Sequence, residues 1–218
     1  ARETVVNPAA FESYVSFLRR TLLEPLPGME AQLSMAPVGR FGHNYDPAPP
    51  EARCGAVLLL IFPNPGGISL PLIKRPEGFS VHSGQIALPG GGHEQPEHFP
   101  VETALRETEE EIGVPQEAVT VLGVLTPLYI PPSNYSITPV VGVLRDPSPS
   151  FRPEAREVDR VIPVRVDDLI PGKETAEVTG STGSRTAPCY RVGESIIWGA
   201  TAMILSEYLV VHLEFLKA

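Results

Sequence analysis

Two rhythms of apolar and polar residues run along the chain. Between residues 9 and 24, Phe11, Tyr14, Val15, Leu18 and Leu22 recur at spacings of three and four, which predicts an amphipathic helix with Arg19 and Arg20 toward its end. Gly55-Ala56-Val57-Leu58-Leu59-Leu60-Ile61-Phe62 is an unbroken apolar run closed by Pro63-Asn64-Pro65-Gly66-Gly67, the pattern of a strand buried on both faces. Residues 68–74 predict its hairpin partner. Further strands are predicted at 118–125, 137–144 and 158–166, each rich in Val, Ile or Leu and bounded by Pro, Gly or Asp. A last helix is predicted over about 198–216.

The segment from Pro25 to Pro50 is rich in Pro, Gly and small residues, and Pro47-Ala48-Pro49-Pro50 favours extended backbone, so it reads as a linker or covering loop. Thr179-Gly180-Ser181-Thr182-Gly183-Ser184 reads as a short flexible connection. Strands outnumber helices, and the helices fall at both ends and once in the middle. The fold class is therefore α/β (α+β), a sandwich around a mixed β-sheet. Residues 1–50 form an N-terminal helix and Pro-rich covering segment, and residues 51–218 form the main domain of a single globular unit.

The middle helix carries the chemistry. Pro100 suits a first helical turn, Gly113 a left-handed close, and Pro115 forbids continuation, which brackets a helix over about 100–112. At about 100° per residue, Thr103, Glu107, Glu110 and Glu111 fall on one side. Val101, Leu105, Thr108 and Ile112 form a stripe that packs inward, while Glu102 and Glu109 project in a third direction as solvated decoration. Three carboxylates on one face repel, so either solvent screens them or a cation sits among them. Arg106, four residues before Glu110, is placed to hold one carboxylate in orientation. Upstream, Leu88-Pro89-Gly90-Gly91-Gly92 is either a plain tight turn or a loop whose Gly90 or Gly91 carbonyl completes an all-oxygen shell.

Composition narrows the function. The net charge of −9 argues against a nucleic acid polymer as partner, which demands a basic surface. An acidic protein that handles a phosphorylated small molecule must neutralise it locally, and a divalent cation held by carboxylates does so. No uninterrupted apolar run approaches the roughly 20 residues of a membrane span, and no segment resembles a secretory leader. The expected setting is cytoplasmic, with no membrane partner. Cys54 and Cys189 lack metal-ligand spacing and read as free thiols. Trp198 reads as a core anchor, and Tyr135 as either core or stacking platform. His82, His93 and His98 form no cluster suited to a hard cation.

These residues resemble the Nudix box, in which Gly is followed after five residues by Glu and, after seven more, by Arg-Glu-aliphatic-x-Glu-Glu-x-Gly-aliphatic. Gly91, Arg106, Glu107, Glu110, Glu111, Gly113 and Val114 match it. Glu97 lies at the right distance from Gly91, but eight residues separate it from Arg106, and Thr108 replaces the aliphatic residue. The resemblance implies a Nudix-type α/β/α sandwich. It also implies a Mg2+ or Mn2+ cofactor with Glu107 and Glu111 as main ligands and Glu110 assisting, and attack of water on a phosphorus of a nucleoside diphosphate derivative. Glu157 is a candidate proton acceptor, against a reading as ordinary surface glutamate.

Upstream residues resemble the signature of the coenzyme A pyrophosphatases of that family. Leu72, Arg75, Gly84, Pro89, Gly90 and Gly91 match, while Pro71, Ile73, Pro76, Ser80 and Leu88 depart, Ser80 replacing an arginine. His82-Ser83-Gly84-Gln85, Thr138-Pro139-Val140-Val141-Gly142 and Trp198-Gly199-Ala200-Thr201-Ala202 are also similar to this subgroup. The resemblance implies substrate contacts from Lys74, Arg75, Gly84 and Gln85. The implied substrate is coenzyme A or acyl-CoA, released as 3′,5′-ADP and (acyl-)4′-phosphopantetheine. Hydrolysis of ADP-ribose or a dinucleotide, and a non-catalytic nucleotide-binding module, are the alternatives. A homodimer is left open.

Overall fold

The computed structural model describes residues 7–37, 48–78, 84–180 and 183–217. Helices α1 (Pro8–Thr21) and α2 (Gly28–Leu33) precede strands β1 (Arg53–Asn64), β2 (Gly67–Lys74), β3 (Ile86–Ala87) and β4 (Gly90–Gly92). Helix α3 (Val101–Ile112) leads to β5 (Thr120–Val124), β6 (Leu128–Ile130), β7 (Tyr135–Val143) and β8 (Arg160–Arg165). A short α4 (Val166–Leu169), a meander of β9 (Lys173–Gly180), β10 (Gly183–Val192) and β11 (Ser195–Trp198), and the long α5 (Gly199–Lys217) complete the chain.

The larger sheet has the order β3-β2-β1-β7-β5, with β8 on β2, β4 on β1 and β6 on β7. It is mixed: β1 runs antiparallel to β2 and β4 but parallel to β7 over Arg53–Ile61. A parallel neighbour requires a crossover, and α3 lies within the one that joins β1 to β7. The strand is buried on both faces, as its apolar run predicts: Leu58, Leu59, Leu60 and Ile61 are fully buried. Ala56, Leu58, Leu60 and Phe62 pack with Ala104 and Ile112 of α3. Leu59 and Ile61 belong to the opposite layer, with Tyr14 and Leu18 of α1 and Leu205 and Tyr208 of α5. Each fully buried aliphatic side chain here contributes about 1.5–3 kcal/mol. The result is the expected α/β/α sandwich.

Three features depart from the sequence reading. The presumed linker contains α2, whose Gln32 is buried and donates from Nε2 to Thr126 O at 2.8 Å and to Glu207 at 2.9 Å. Buried polar tethers of this kind leave no trace in apolar periodicity. The supposed flexible connection is largely strand, since Thr179 and Gly180 pair with Ser184 and Gly183 as the ends of β9 and β10. Helix α5 is, among the described residues, long and apolar enough to cross a membrane, with hydropathy 1.3. Its scattered polar residues hid that from a search for unbroken runs, and much of it is core: Glu207 accepts from Gly28 N, Gln32 and Thr126, while His212 Nδ1 lies 2.7 Å from Tyr14 Oη. The two cysteines are free, as expected.

Candidate active site

Helix α3 begins after Pro100 and closes at Gly113, whose φ of 71° is left-handed and whose N–H bonds Glu109 O at 2.9 Å. A Cβ at Gly113 would sit 2.9 Å from Arg152 Cβ, because the following loop folds back over the helix end. There Arg152 N donates to Ile112 O and Glu154 N to Glu111 O, at 2.8 and 2.9 Å. Thr108 and Ile112 are buried as the wheel predicts, Ala104 joins them, and Val101 and Leu105 are half-buried. Glu109 is exposed and accepts from Gln116. Glu102, also exposed, accepts from His98 N at 2.8 Å, a local role at the helix start.

The three predicted carboxylates do not share one environment. Glu111 is almost wholly buried, accepts Gly90 N–H at 2.8 Å and lies 3.4 Å from Arg75 Nη2. Burial pushes its carboxyl up to about 7, against the pull of Arg75 and the Gly90 N–H, and the charges of Glu107 and Glu157 push the same way. Glu107 sits against Gly91, so closely that a Cβ on Gly91 would meet its Oε1 at 2.4 Å. Burial raises its pKa as well, opposed by Arg106 at 2.9 Å. Glu110 is the exposed member, its side chain 58% accessible, and it is held by Arg106 Nη1 at 2.9 Å.

Arg106 is the hub. It binds Glu97, Glu107 and Glu110 and donates to Gly92 O at 3.1 Å. Although burial opposes its charge, these carboxylates raise its pKa further. Glu97, one residue out of step with the box spacing, still reaches Arg106. It also accepts from Thr103 Oγ1 at 2.7 Å and Glu94 N at 3.1 Å. Burial pushes the Glu97 carboxyl up, but the bonds from Arg106 and Thr103 outweigh it and hold the pKa at about 2. His93 Nδ1 lies 3.3 Å from Thr103 Oγ1 and 3.5 Å from Glu97, so this histidine supports the carboxylate from behind.

Strand β4 separates the carboxylates from a cleft of about 730 Å³ whose wall includes Gly90, Gly91 and Gly92. Gly91 pairs with Ala56, while Gly90 N and Gly92 O turn to α3. Arg75 links the two sides, since it lines the cleft and also meets Glu111. Gln85 lines the cleft too, and Gly84 forms the turn before it with φ 65°. Lys74 stands apart, paired at 3.3 Å with the exposed Glu77. Ser80, His82 and Ser83 lie outside the described residues.

The cleft wall also carries residues that no local motif announced. Arg53, Tyr129, Tyr135 and Arg185 come from four different strands. Trp198, expected in the core, is half-buried at the cleft wall, resting on Gly180, where a Cβ would lie 3.0 Å from its Cη2. Glycine at that position is what brings the indole to the surface of the small sheet.

The donors fit a hard divalent cation in type, since Glu107, Glu111 and the nearby backbone offer only oxygen. Their arrangement is one of carboxylates held by arginines: no three His, Cys, Asp or Glu among the described residues converge as a ready-made metal cluster.

Fold and site together are a mixed sheet with a carboxylate helix turned onto a glycine strand. A NUDIX domain profile matches residues 52–180. The uncharacterized Nudix hydrolase NudL of Photorhabdus laumondii is 32% identical over 176 residues, covering 78% of this chain and 92% of that protein. Nudix hydrolase 15, mitochondrial, of Arabidopsis thaliana is 33% identical over 183 residues, covering 80% of this chain and 62% of that protein. A crystal structure of a Nudix hydrolase from M. smegmatis, RenU, shares the fold, with a TM-score of 0.52 at 22% identity, covering 75% of this chain and 87% of that one. The chain belongs to the Nudix family, and it is a Nudix pyrophosphohydrolase. Enzymes of this family generally depend on a divalent metal.

Because Glu97 holds Arg106 and Arg106 holds Glu107, Glu97→Gln is expected to lower kcat by about 10- to 100-fold, the usual cost of losing a group that orients a ligand. KM should change much less, since Glu97 does not line the cleft. Steady-state kinetics beside a melting curve checks this, and an unchanged kcat would show that Arg106 needs no such support.

Proposed function

We propose that the protein hydrolyses the pyrophosphate of coenzyme A or acyl-CoA, releasing 3′,5′-ADP and (acyl-)4′-phosphopantetheine. The observation that carries this reading is the placement of Glu107 and Glu111 directly behind a glycine strand that also walls the cleft, with Arg75 reaching both sides. Leu128, Ile130, Ile137, Met203 and Ile204 make much of the remaining wall apolar, which suits a long, uncharged arm beside a phosphate-binding end. The match of Leu72, Arg75, Gly84, Pro89, Gly90 and Gly91 to the coenzyme A signature supports the same choice.

Glu107 and Glu111 are the residues that would hold Mg2+ or Mn2+, with Glu110 assisting; the Gly91 carbonyl, expected from the sequence to complete the set, faces Ala56 in the β1–β4 ladder, whereas Gly90 turns to α3. When bound, such an ion lowers the pKa of water and offsets charge on the pyrophosphate. Arg106 keeps Glu107 in orientation. Arg75, Gln85 and the turn at Gly84 meet the phosphate end of the substrate, with Lys74 adding positive charge nearby. Glu157, on the exposed loop that docks on the end of α3, is the candidate proton acceptor for the attacking water, against a reading as an ordinary surface glutamate. We infer that the protein acts in the cytoplasm on a small nucleotide and without a membrane or nucleic acid partner, with a homodimer as the assembly to test.

The test is a substrate panel with Mg2+, comparing kcat/KM for coenzyme A, acetyl-CoA, ADP-ribose and diadenosine polyphosphates. The expected result is preference for the CoA compounds with 4′-phosphopantetheine or its acyl form among the products. A clear preference for ADP-ribose would overturn the assignment.

A further inference from the structure

The charged residues of the cleft wall are Arg53, Arg75 and Arg185, and no Asp, Glu, Lys or His lines it among the described residues. In a chain with 26 acidic and 17 basic residues, that segregation is a departure from the surrounding surface. Charge of one sign inside a low-dielectric cleft focuses the field on a ligand of the other sign. The charge of Arg75 is answered by Glu111 at 3.4 Å. Arg53 is different: no carboxylate pairs with it among the described residues, and its guanidinium is positioned by Ser133 O at 2.8 Å and by the face of Tyr135, 4.2 Å to the ring centroid.

Arg53 is also tied to the catalytic strand. The Tyr135 hydroxyl lies 3.3 Å from where a Cβ on Gly92 would stand, so one phenol ring separates the guanidinium from the glycines. Arg185 enters the same cleft from β10, with Gly180 and Trp198 beside it on the small sheet. The two arginines thus reach one cleft from different sheets.

We propose that Arg53 and Arg185 form a second anion site that reads a phosphomonoester carried by the substrate in addition to its scissile pyrophosphate. The inference rests on the pyrophosphohydrolase reading. A planar guanidinium fixed on an aromatic face presents paired N–H donors to phosphate oxygens, and a second guanidinium from the small sheet supplies further donors.

The experiment uses substrate pairs that differ by one phosphate: coenzyme A against 3′-dephospho-CoA, and 2′-phospho-ADP-ribose against ADP-ribose. Wild-type protein is expected to favour the phosphorylated member of at least one pair by about tenfold or more in kcat/KM, the scale of one charge-assisted contact. Arg53→Gln and Arg185→Gln should each bring that ratio toward one, and Arg→Lys at the same positions should restore part of it. Calorimetry of metal-free protein with 3′,5′-ADP and with AMP gives a readout apart from turnover: the affinity ratio should fall in both Gln variants and shrink with added salt. If a Gln variant melts early, the Lys variant and the wild-type ratios still decide. Equal rates on both members of each pair in wild type, or a preference that survives both Gln variants, would overturn the site. Absence of hydrolysis on every substrate would instead overturn the pyrophosphohydrolase reading.

Discussion

Glu111→Gln is expected to remove turnover while leaving the protein folded. The loss in kcat should reach about 10³-fold, because the several kcal/mol a metal supplies to charge stabilisation depend on a carboxylate to hold it. The fold should tolerate the change. Glutamine keeps an oxygen for the Gly90 N–H, and it removes the cost of ionising a group whose burial pushes its pKa to about 7. Against this stands the lost partner of Arg75, which is itself partly exposed and can turn to water. These opposing terms should leave the melting temperature within about 4 °C of wild type, equivalent to roughly 1 kcal/mol for a chain of this length. Hydrolysis at the parental rate with Mg2+ present would show that Glu111 holds no metal.

Neighbouring glycines should separate activity from stability. Gly91→Ala places a Cβ 2.4 Å from Glu107 Oε1 and 2.6 Å from its Oε2, so the carboxylate must leave its seat. The colliding atom is the end of a flexible side chain, and the fold can yield there. An activity loss of about 10²-fold with little change in melting is the expected result. Gly90→Ala meets backbone instead, 2.3 Å from Ala56 O and 2.5 Å from Val57 Cα, at a φ of 151°. Neither strand can move without breaking the β1–β4 ladder. That variant should be destabilised by about 3 kcal/mol or more, a drop of roughly 12 °C or greater. Melting curves and kinetics on the same two proteins check the pair, and a lower stability of Gly91→Ala than of Gly90→Ala would overturn the distinction.

The substitutions differ because of information the motif alone does not carry. Gly-rich spacing announces close approach, but which atom approaches which glycine depends on the pairing of β4 with β1 on one side and the seat of α3 on the other. The same applies to Glu97. Its count from Arg106 is one residue off the family spacing, yet the segment between them folds so that the ion pair forms and Thr103 and His93 gather around it. Glu110 shows the converse. The helical wheel groups it with Glu107 and Glu111, but tertiary contacts turn it outward to Arg106 while Glu111 is buried and Glu107 largely covered.

By itself, the sequence determined the carboxylate helix and its limits, the buried strand β1 with its hairpin partner, the helices at both ends and the family, because periodicity, capping and motif spacing act within a few turns of one element. The tertiary structure alone decided the helix hidden in the Pro-rich segment, the three-stranded meander, and the cleft lined by Arg53, Tyr135, Arg185 and Trp198. Arg53, Tyr135 and Arg185 lie fifty or more positions apart on separate strands. Only the burial of both faces of the central sheet brings them together, and no local pattern encodes which distant side chains will share that wall.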